Sequence, residues 1–579
     1  MNINKNIFQA NPTRLDISRS KFDLSHGWKG TFNTGLLIPV YLQEVLPGDT
    51  FKLDASCVIR STTPVAPVMD DAFADLFFFY VRNDKILSRQ SMSPSVDDSN
   101  HSWKAFIGAQ DNFLNMPLPS DVTLPSICFG SLEADTGKET DFERGSLADY
   151  LGLPDFPGKY AVNYFKRRIN CLAPLAYYSV WSEFFRDENT MNPVTYRVLT
   201  DGLFGETAPR IEFSGGTENW TDRGRIGLVD SILPVCRFHG YFGSALPWPQ
   251  RNSTTVELPL GDTAPLVADS SVYSVGRTIK FGSSEQLAEL LANDGTNWTT
   301  SASSPDLYAS GTNLKVDLSQ ATAASVNALR ASVQLQRWYE ASARGGNRDV
   351  EMVASMFGVT PADNTTDRPE YLGGKRIRIN IQQVENTAGT NESTATQQAI
   401  GSTGAYSLTT DDSGYFTKSF DYWGQIIGVV CIRTKESFHQ GLPKMFTRFD
   451  RFSFFWPVFA NLGEEPIESK QIYMDGTAGD SSVFGYQEAW AEYRFHPDVT
   501  TGLARPGSNQ AYWTYTNNFE SRPTLPDYLN ASGQKAIVDR TLQVPSTTAG
   551  FQWLADFHFD VTAVRPMPTH SIPGLVDHH

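Results

Sequence analysis

At 579 residues, with 44 Gly, 33 Pro and 12% aromatic residues, the chain is composed like a strand-and-loop protein rather than a helical one. Charged residues make up 19% of it, below the roughly 25% usual in soluble domains, so much of its surface is expected to be covered by partners. A net charge of −16 excludes a protein that wraps nucleic acid by its own bulk charge, although it leaves room for a local basic surface.

The chain opens on MNINKNIFQANPTRLD, which lacks the apolar run of a signal peptide. The greasiest segments, LFFFYV and IIGVVCI, are too short to span a bilayer, so synthesis and folding in a cytoplasm without membrane insertion are expected. Residues 1–34 read as a mildly basic arm, with Lys5, Arg14, Arg19, Lys21 and Lys29 set against Asp16 and Asp23. Such an arm is either a solvated tail or an inward-facing segment that touches nucleic acid.

Two strands follow, GLLIPVYLQEV and TFKLDASCVIR, flanking the turn LPGD. In the second, Phe51, Leu53, Ala55, Cys57 and Ile59 alternate without a break, the mark of a strand with one buried face. FADLFFFYV (73–81) is apolar on both faces and belongs in the middle of a packed sheet. Residues from about 88 to 160, rich in Pro, Asp and Ser, read as a long insertion.

PLAYYSVWSEFFRDE begins at a proline suited to a first turn and aligns Leu175, Tyr178, Trp181 and Phe185, so it reads as a helix lying on the outside of the sheets. A second insertion runs from about 205 to 318 and includes NDGTNWTTSASSPDLYASGTN, which has little to bury. The sequons at Asn219 and Asn297 are chance matches in a chain with no secretory route. Cys57, Cys128, Cys171, Cys236 and Cys431 are far apart and form no CxxC pair, so they read as reduced core thiols and not as a disulfide framework or a zinc site.

The helical segment TAASVNALRASVQLQRWYEASAR repeats Val326, Leu329, Val333, Gln336 and Tyr339 at steps of three or four. It runs into Arg344, Gly345, Gly346 and Arg348, a set that could cradle an anion. The spacing matches neither a Walker loop nor a dinucleotide loop. A helix stopped at Gly345 and followed by a short helix from Val350 to Phe357 is the better reading.

Later strand candidates are KRIRINIQQV, with Ile377, Ile379 and Ile381 on one face, then DYWGQIIGVVCIRTK, RFDRFSFFWPVFA and GYQEAWAEYRF. FQWLADFHFDVTA is the cleanest, with Phe551, Trp553, Ala555, Phe557, Phe559, Val561 and Ala563 inward and Gln552, Asp556, His558 and Asp560 between them. His558 is therefore an outward strand residue rather than a catalyst. The chain has no HExxH, no GxSxG and no local Cys-His signature, and its carboxylate pairs (Asp70-Asp71, Asp411-Asp412, Glu464-Glu465) read as loop residues. No catalytic residue, metal ligand or cofactor is assigned.

Nine blocks in order carry a family resemblance: SKFDLSHGWKGTFNTGLLIPVYLQEVLPGDTFKL, PVAPVMDDAFADLFFFYVRND, APLAYYSVWSEFFRDEN, ARGGNRDVEMVASMFGV, RPEYLGG, FTKSFDYWGQIIGVVCIR, FWPVFANLGEEPI, VFGYQEAWAEYRF and RPMPTHSIPGLVDHH. Together they resemble the major capsid proteins of Microviridae, in the gokushovirus-like branch, over nearly the whole chain. The resemblance thins over the two insertions, and RGGNRD departs from the RGGTRY-like form of the family.

The resemblance implies an all-β fold: a single eight-stranded jelly roll of the viral capsid type over residues 35–579, with long loop insertions and a few short helices. It implies a structural protein of a bacteriophage virion, assembled in the bacterial host cytoplasm through pentamers into an icosahedral shell around a circular single-stranded DNA genome. It also implies a small basic DNA-packaging protein, a pilot protein and a host-cell surface receptor as partners. The 205–318 insertion would be a surface protrusion serving host attachment, the 1–34 arm would be internal, and the Arg344–Arg348 joint would lie near a subunit contact. The alternative class is a jelly-roll carbohydrate-binding protein or glycosidase.

Overall fold

The structure is a computed structural model. It describes residues 18–88, 144–154, 168–199, 232–251, 326–346, 348–363, 366–385 and 403–570, with residue 103 and short strands between 124 and 140 and between 210 and 316. The chain divides into two compact units, Met1–Pro249 with Arg344–His579, and Gln250–Ala343. The described chain is mostly β-sheet with few helices.

The first unit is built on eight strands: β1 (His26–Phe32), β2 (Ile38–Val45), β3 (Thr50–Ser61), β4 (Ala72–Arg82), β5 (Glu370–Arg378), β6 (Thr409–Ser419), β7 (Gly424–Thr434) and β8 (Trp553–Arg565). One sheet has the order β1–β8–β3–β6 and the other β2–β7–β4–β5. Every pairing in both is antiparallel. Ser20–Asp23 pairs with β8 just ahead of β1, so the arm enters the structure as an edge strand.

The alternation in β3 and β8 becomes the core between the sheets. Phe51, Leu53, Ala55, Cys57 and Ile59 are buried there beside Trp553, Phe557, Phe559 and Val561. The register sets large against small, Phe557 opposite Cys57 and Phe559 opposite Ala55, the kind of complementarity that fills a core without voids. From the other sheet Leu76, Phe78 and Tyr80 of β4 fill the same core.

The odd residues Phe79 and Val81 point to the opposite side of β4, as do Ile427, Val429 and Cys431 of β7. There they meet helix α1 (Leu172–Val180), which continues as a π-helical turn through Phe185. This accounts for a strand apolar on both faces: one face meets the partner sheet and the other meets a helix. Leu175, Tyr178, Trp181 and Phe185 lie in this second core as the sequence predicts, but α1 is buried on its other side too. The Tyr177 hydroxyl donates to the Leu37 carbonyl at 2.8 Å and accepts from the Leu233 amide at 3.1 Å. Trp103, Leu147 and Ala148, from the first predicted insertion, belong to the same core.

Four expectations are corrected. KRIRINIQQV is two strands: β5 ends at Arg378, and Ile381–Glu385 pairs instead with Thr403–Ser407. The Asn380 amide between them donates to Thr409 Oγ1, which marks the change of partner. RFDRFSFFWPVFA is not a strand but two 3-10 turns, Arg451–Ser453 and Pro457–Phe459. Asp450 caps the first by accepting from the amides of Phe452 and Ser453 at 2.7 and 2.9 Å, and Pro457 opens the second with no N–H to give to a ladder.

GYQEAWAEYRF keeps strand geometry only through Glu488, because Trp490 adopts φ 66° and a 3-10 turn follows. Gln552 is buried rather than outward: it accepts from the Thr34 amide and donates to the Lys535 carbonyl and to Asp539.

The described part of the second unit holds the hairpin Leu290–Asn293 with Asn297–Thr300 and the pair Leu266–Ala268 with Leu314–Val316. Helix α2 (Val326–Gly345) forms where the periodicity places it, with Leu329 and Val333 of its repeating stripe exposed.

Candidate functional site

The joint at Arg344–Arg348 is where the sequence concentrates glycine and charge, and here it is a structural staple. Helix α2 ends at Gly345, Gly346 takes φ +93°, and helix α3 (Asp349–Phe357) begins immediately after. A Cβ on Gly345 would run into the Ser355 side chain, so that position needs glycine for close approach, whereas Gly346 needs it for its left-handed backbone.

Arg348 is mostly buried, and both of its terminal nitrogens are engaged. Its Nη1 lies 3.0 Å from both Glu188 and Glu351. Its Nη2 donates to the main-chain carbonyls of Arg186 at 2.8 Å and Ser182 at 3.3 Å. Burial alone would raise the Glu351 carboxyl, but its bond with Glu188 and the Arg348 guanidinium beside it outweigh burial and hold it below the usual carboxylate range. Arg344 is half exposed and pairs with Glu464, with Glu488 at 3.6 Å. Both arginines are therefore committed to carboxylates of the same chain, which removes the positive field an anion would need. Glu188 and the carbonyls at 182 and 186 lie more than 150 residues from Arg348 in sequence and carry no local signal of this role.

The arm is only partly within the described residues. Lys5 and Arg14 lie outside them. Arg19, Lys21 and Lys29 are exposed. Lys29 Nζ is 3.9 Å from Asp556 on the neighbouring strand β8. Asp556 belongs to a row of carboxylates on the outward face of the first sheet, with Asp54, Asp412 and Asp560, beside the exposed His558. Part of the arm's charge is thus balanced by its own sheet.

The carboxylate pairs are structural as well. Asp70 accepts from the Tyr515 amide at 2.7 Å, Asp71 pairs with Arg378, Asp411 with Lys375, Glu464 with Arg344 and Glu465 with Lys444. Among the described residues no cluster of His, Cys, Asp and Glu is arranged to hold a metal ion, and no helix is long and apolar enough to cross a membrane.

Residues 12–575 match the family model described as capsid protein (F protein). The chain is 31% identical to capsid protein VP1 of Chlamydia phage 1, over 99% of this chain and 98% of that protein. It is 32% identical to capsid protein VP1 of Bdellovibrio phage phiMH2K, over 99% and 98%. It is 30% identical to capsid protein VP1 of Spiroplasma virus 4, over 96% of each. These are structural proteins, and they give the carbohydrate-binding and glycosidase alternative no support.

Proposed function

The chain belongs to the phage capsid protein (F protein) family, and from that premise we propose that it folds as a single eight-stranded jelly roll and assembles through pentamers into an icosahedral shell around a circular single-stranded DNA genome. It is a structural capsid protein of the gokushovirus-like Microviridae and not an enzyme. The observation that carries the reading is identity of 30–32% sustained over 96–99% of the chain.

The jelly-roll assignment draws support from the strand orders. Strands 1, 8, 3 and 6 lie in one sheet and 2, 7, 4 and 5 in the other, so successive strands mostly alternate between sheets, as two nested Greek keys require. In this reading the acidic chain leaves most phosphate neutralisation to a small basic packaging protein, while Arg19, Lys21 and Lys29 of the arm, with Lys5 and Arg14, add a local contact with DNA. A pilot protein and a host-cell receptor complete the partners, and assembly takes place in the bacterial cytoplasm. The Arg344–Arg348 staple holds a loop next to a subunit contact, and the 205–318 segment, which overlaps the separate unit Gln250–Ala343, projects outward for host attachment.

Sucrose-gradient sedimentation and negative-stain microscopy of the purified chain, alone and with a basic partner, test the reading. Pentamers or closed shells are expected, with no turnover of glycosides or nucleotides. A monodisperse monomer that persists at high concentration in near-native salt would overturn it.

A further inference from the structure

The loop that forms 3-10 turns in place of a strand holds the largest run of exposed apolar side chains among the described residues. Phe446, Phe449, Phe452, Phe454, Trp456 and Val458 are all at least half exposed, Phe449 at 91% and Val458 at 88%. With roughly 150–250 Å² per aromatic side chain, the five rings alone present on the order of 600 Å². That is at or above the ~300–600 Å² limit of the largest patch on an ordinary monomer, and close to the ~800 Å² that one partner brings to a stable contact.

The loop that carries the rings is pinned at several points. Trp456 Nε1 donates to the Arg451 carbonyl at 2.8 Å, and Trp490 Nε1 donates to the Phe459 carbonyl at 3.0 Å. The Arg448 guanidinium sits 4.3 Å from the Tyr493 ring centre, and its Nη2 donates to Glu492 at 2.8 Å. A surface already fixed in this way loses little conformational entropy on binding.

Charge decides the kind of partner. Of the three cations in residues 444–462, Lys444 is tied to Glu465 and Arg448 to Glu492, so the patch lacks the positive groove that tracks a nucleic-acid backbone. Every copy of the chain carries the patch, and within a shell another copy is the partner present in equal number.

We infer that the 444–462 loop is a contact surface between copies of this chain, its rings buried against a neighbouring subunit. The inference rests on the capsid reading above. The test compares full-length wild type with Phe449→Asp and Val458→Asp, by gradient sedimentation, electron microscopy and thermal melting of the dissociated subunit. Each variant should keep the wild-type subunit melt and lose at least ~10-fold in particle yield, as for a central interface residue. Wild-type assembly by both variants overturns the inference and leaves the capsid reading standing. Normal particle yield with loss of encapsidated nucleic acid would assign the patch to the genome and overturn it as well. A lowered subunit melt in both variants would place the rings in the subunit's own core and likewise overturn it. A wild-type chain that itself stays monomeric removes the capsid reading first.

Discussion

Arg348 Nη2 donates to the main-chain carbonyl of Arg186 at 2.8 Å, so the entry to helix α3 is pinned to the end of the π-helical turn that follows α1. Removing this side chain takes the cation from two carboxylates and a donor from the Arg186 carbonyl in a poorly solvated joint. Arg348→Ala should cost about 2–4 kcal/mol, toward the lower end of what breaking a buried pair costs because the group retains some solvent contact. Arg348→Lys should recover less than half of the loss, since a point charge cannot span both carboxylates and both carbonyls. Thermal melting by circular dichroism reads the order wild type, Lys, Ala; three superimposable melts would show that the joint contributes nothing.

Phe557 and His558 are adjacent in β8 and face opposite ways, Phe557 fully buried and His558 exposed. Phe557→Asp places an unpaired charge between the sheets, at a cost of several kcal/mol, and should leave no soluble folded protein. His558→Ala should change the melt little. Equal tolerance of both substitutions, measured by soluble yield and circular dichroism, would mean that the two faces of β8 are assigned the wrong way round.

Burial pushes the thiols of Cys57 and Cys431 up to about 11 and those of Cys171 and Cys236 up to about 12. A thiol with a raised pKa is protonated below it, so at pH 8 these four hold about a thousandth or less of the reactive thiolate. Ellman's reagent should therefore titrate at most one of the five cysteines in the native chain and all five in guanidinium. Two or more fast-reacting native thiols would show that one of these core sites opens.

Replacing residues 252–314 with a Gly/Ser linker long enough to close the gap should give particles that assemble and hold DNA but adsorb poorly to the host. The segment falls within the unit Gln250–Ala343. Its Ser, Thr, Asn and Gly content can bury little apolar surface. Plaque assays and adsorption kinetics check it: particles that never form would make the segment part of the shell, and full infectivity would end its attachment role.

The two-sheet core is legible in local pattern. Strict alternation in TFKLDASCVIR and FQWLADFHFDVTA leaves one arrangement in which the alternating apolar set is inside, since a one-residue slip would turn the whole set to solvent. The doubly apolar β4, the α2–α3 joint with its glycines and the outward His558 are legible for the same reason, because periodicity and backbone constraint suffice to specify them. Residues whose role depends on distant partners escape such a reading. Gln552 sits one residue before a clean alternation, yet it is buried because Thr34, Lys535 and Asp539 converge on its amide. Arg348 is legible as part of a helix joint, but its partners Glu188 and the carbonyls of Ser182 and Arg186 come only with the fold. The rings of residues 446–458 look like core in any window of sequence, because hydrophobicity records a preference for leaving water without recording whether the cover comes from the same chain or from another.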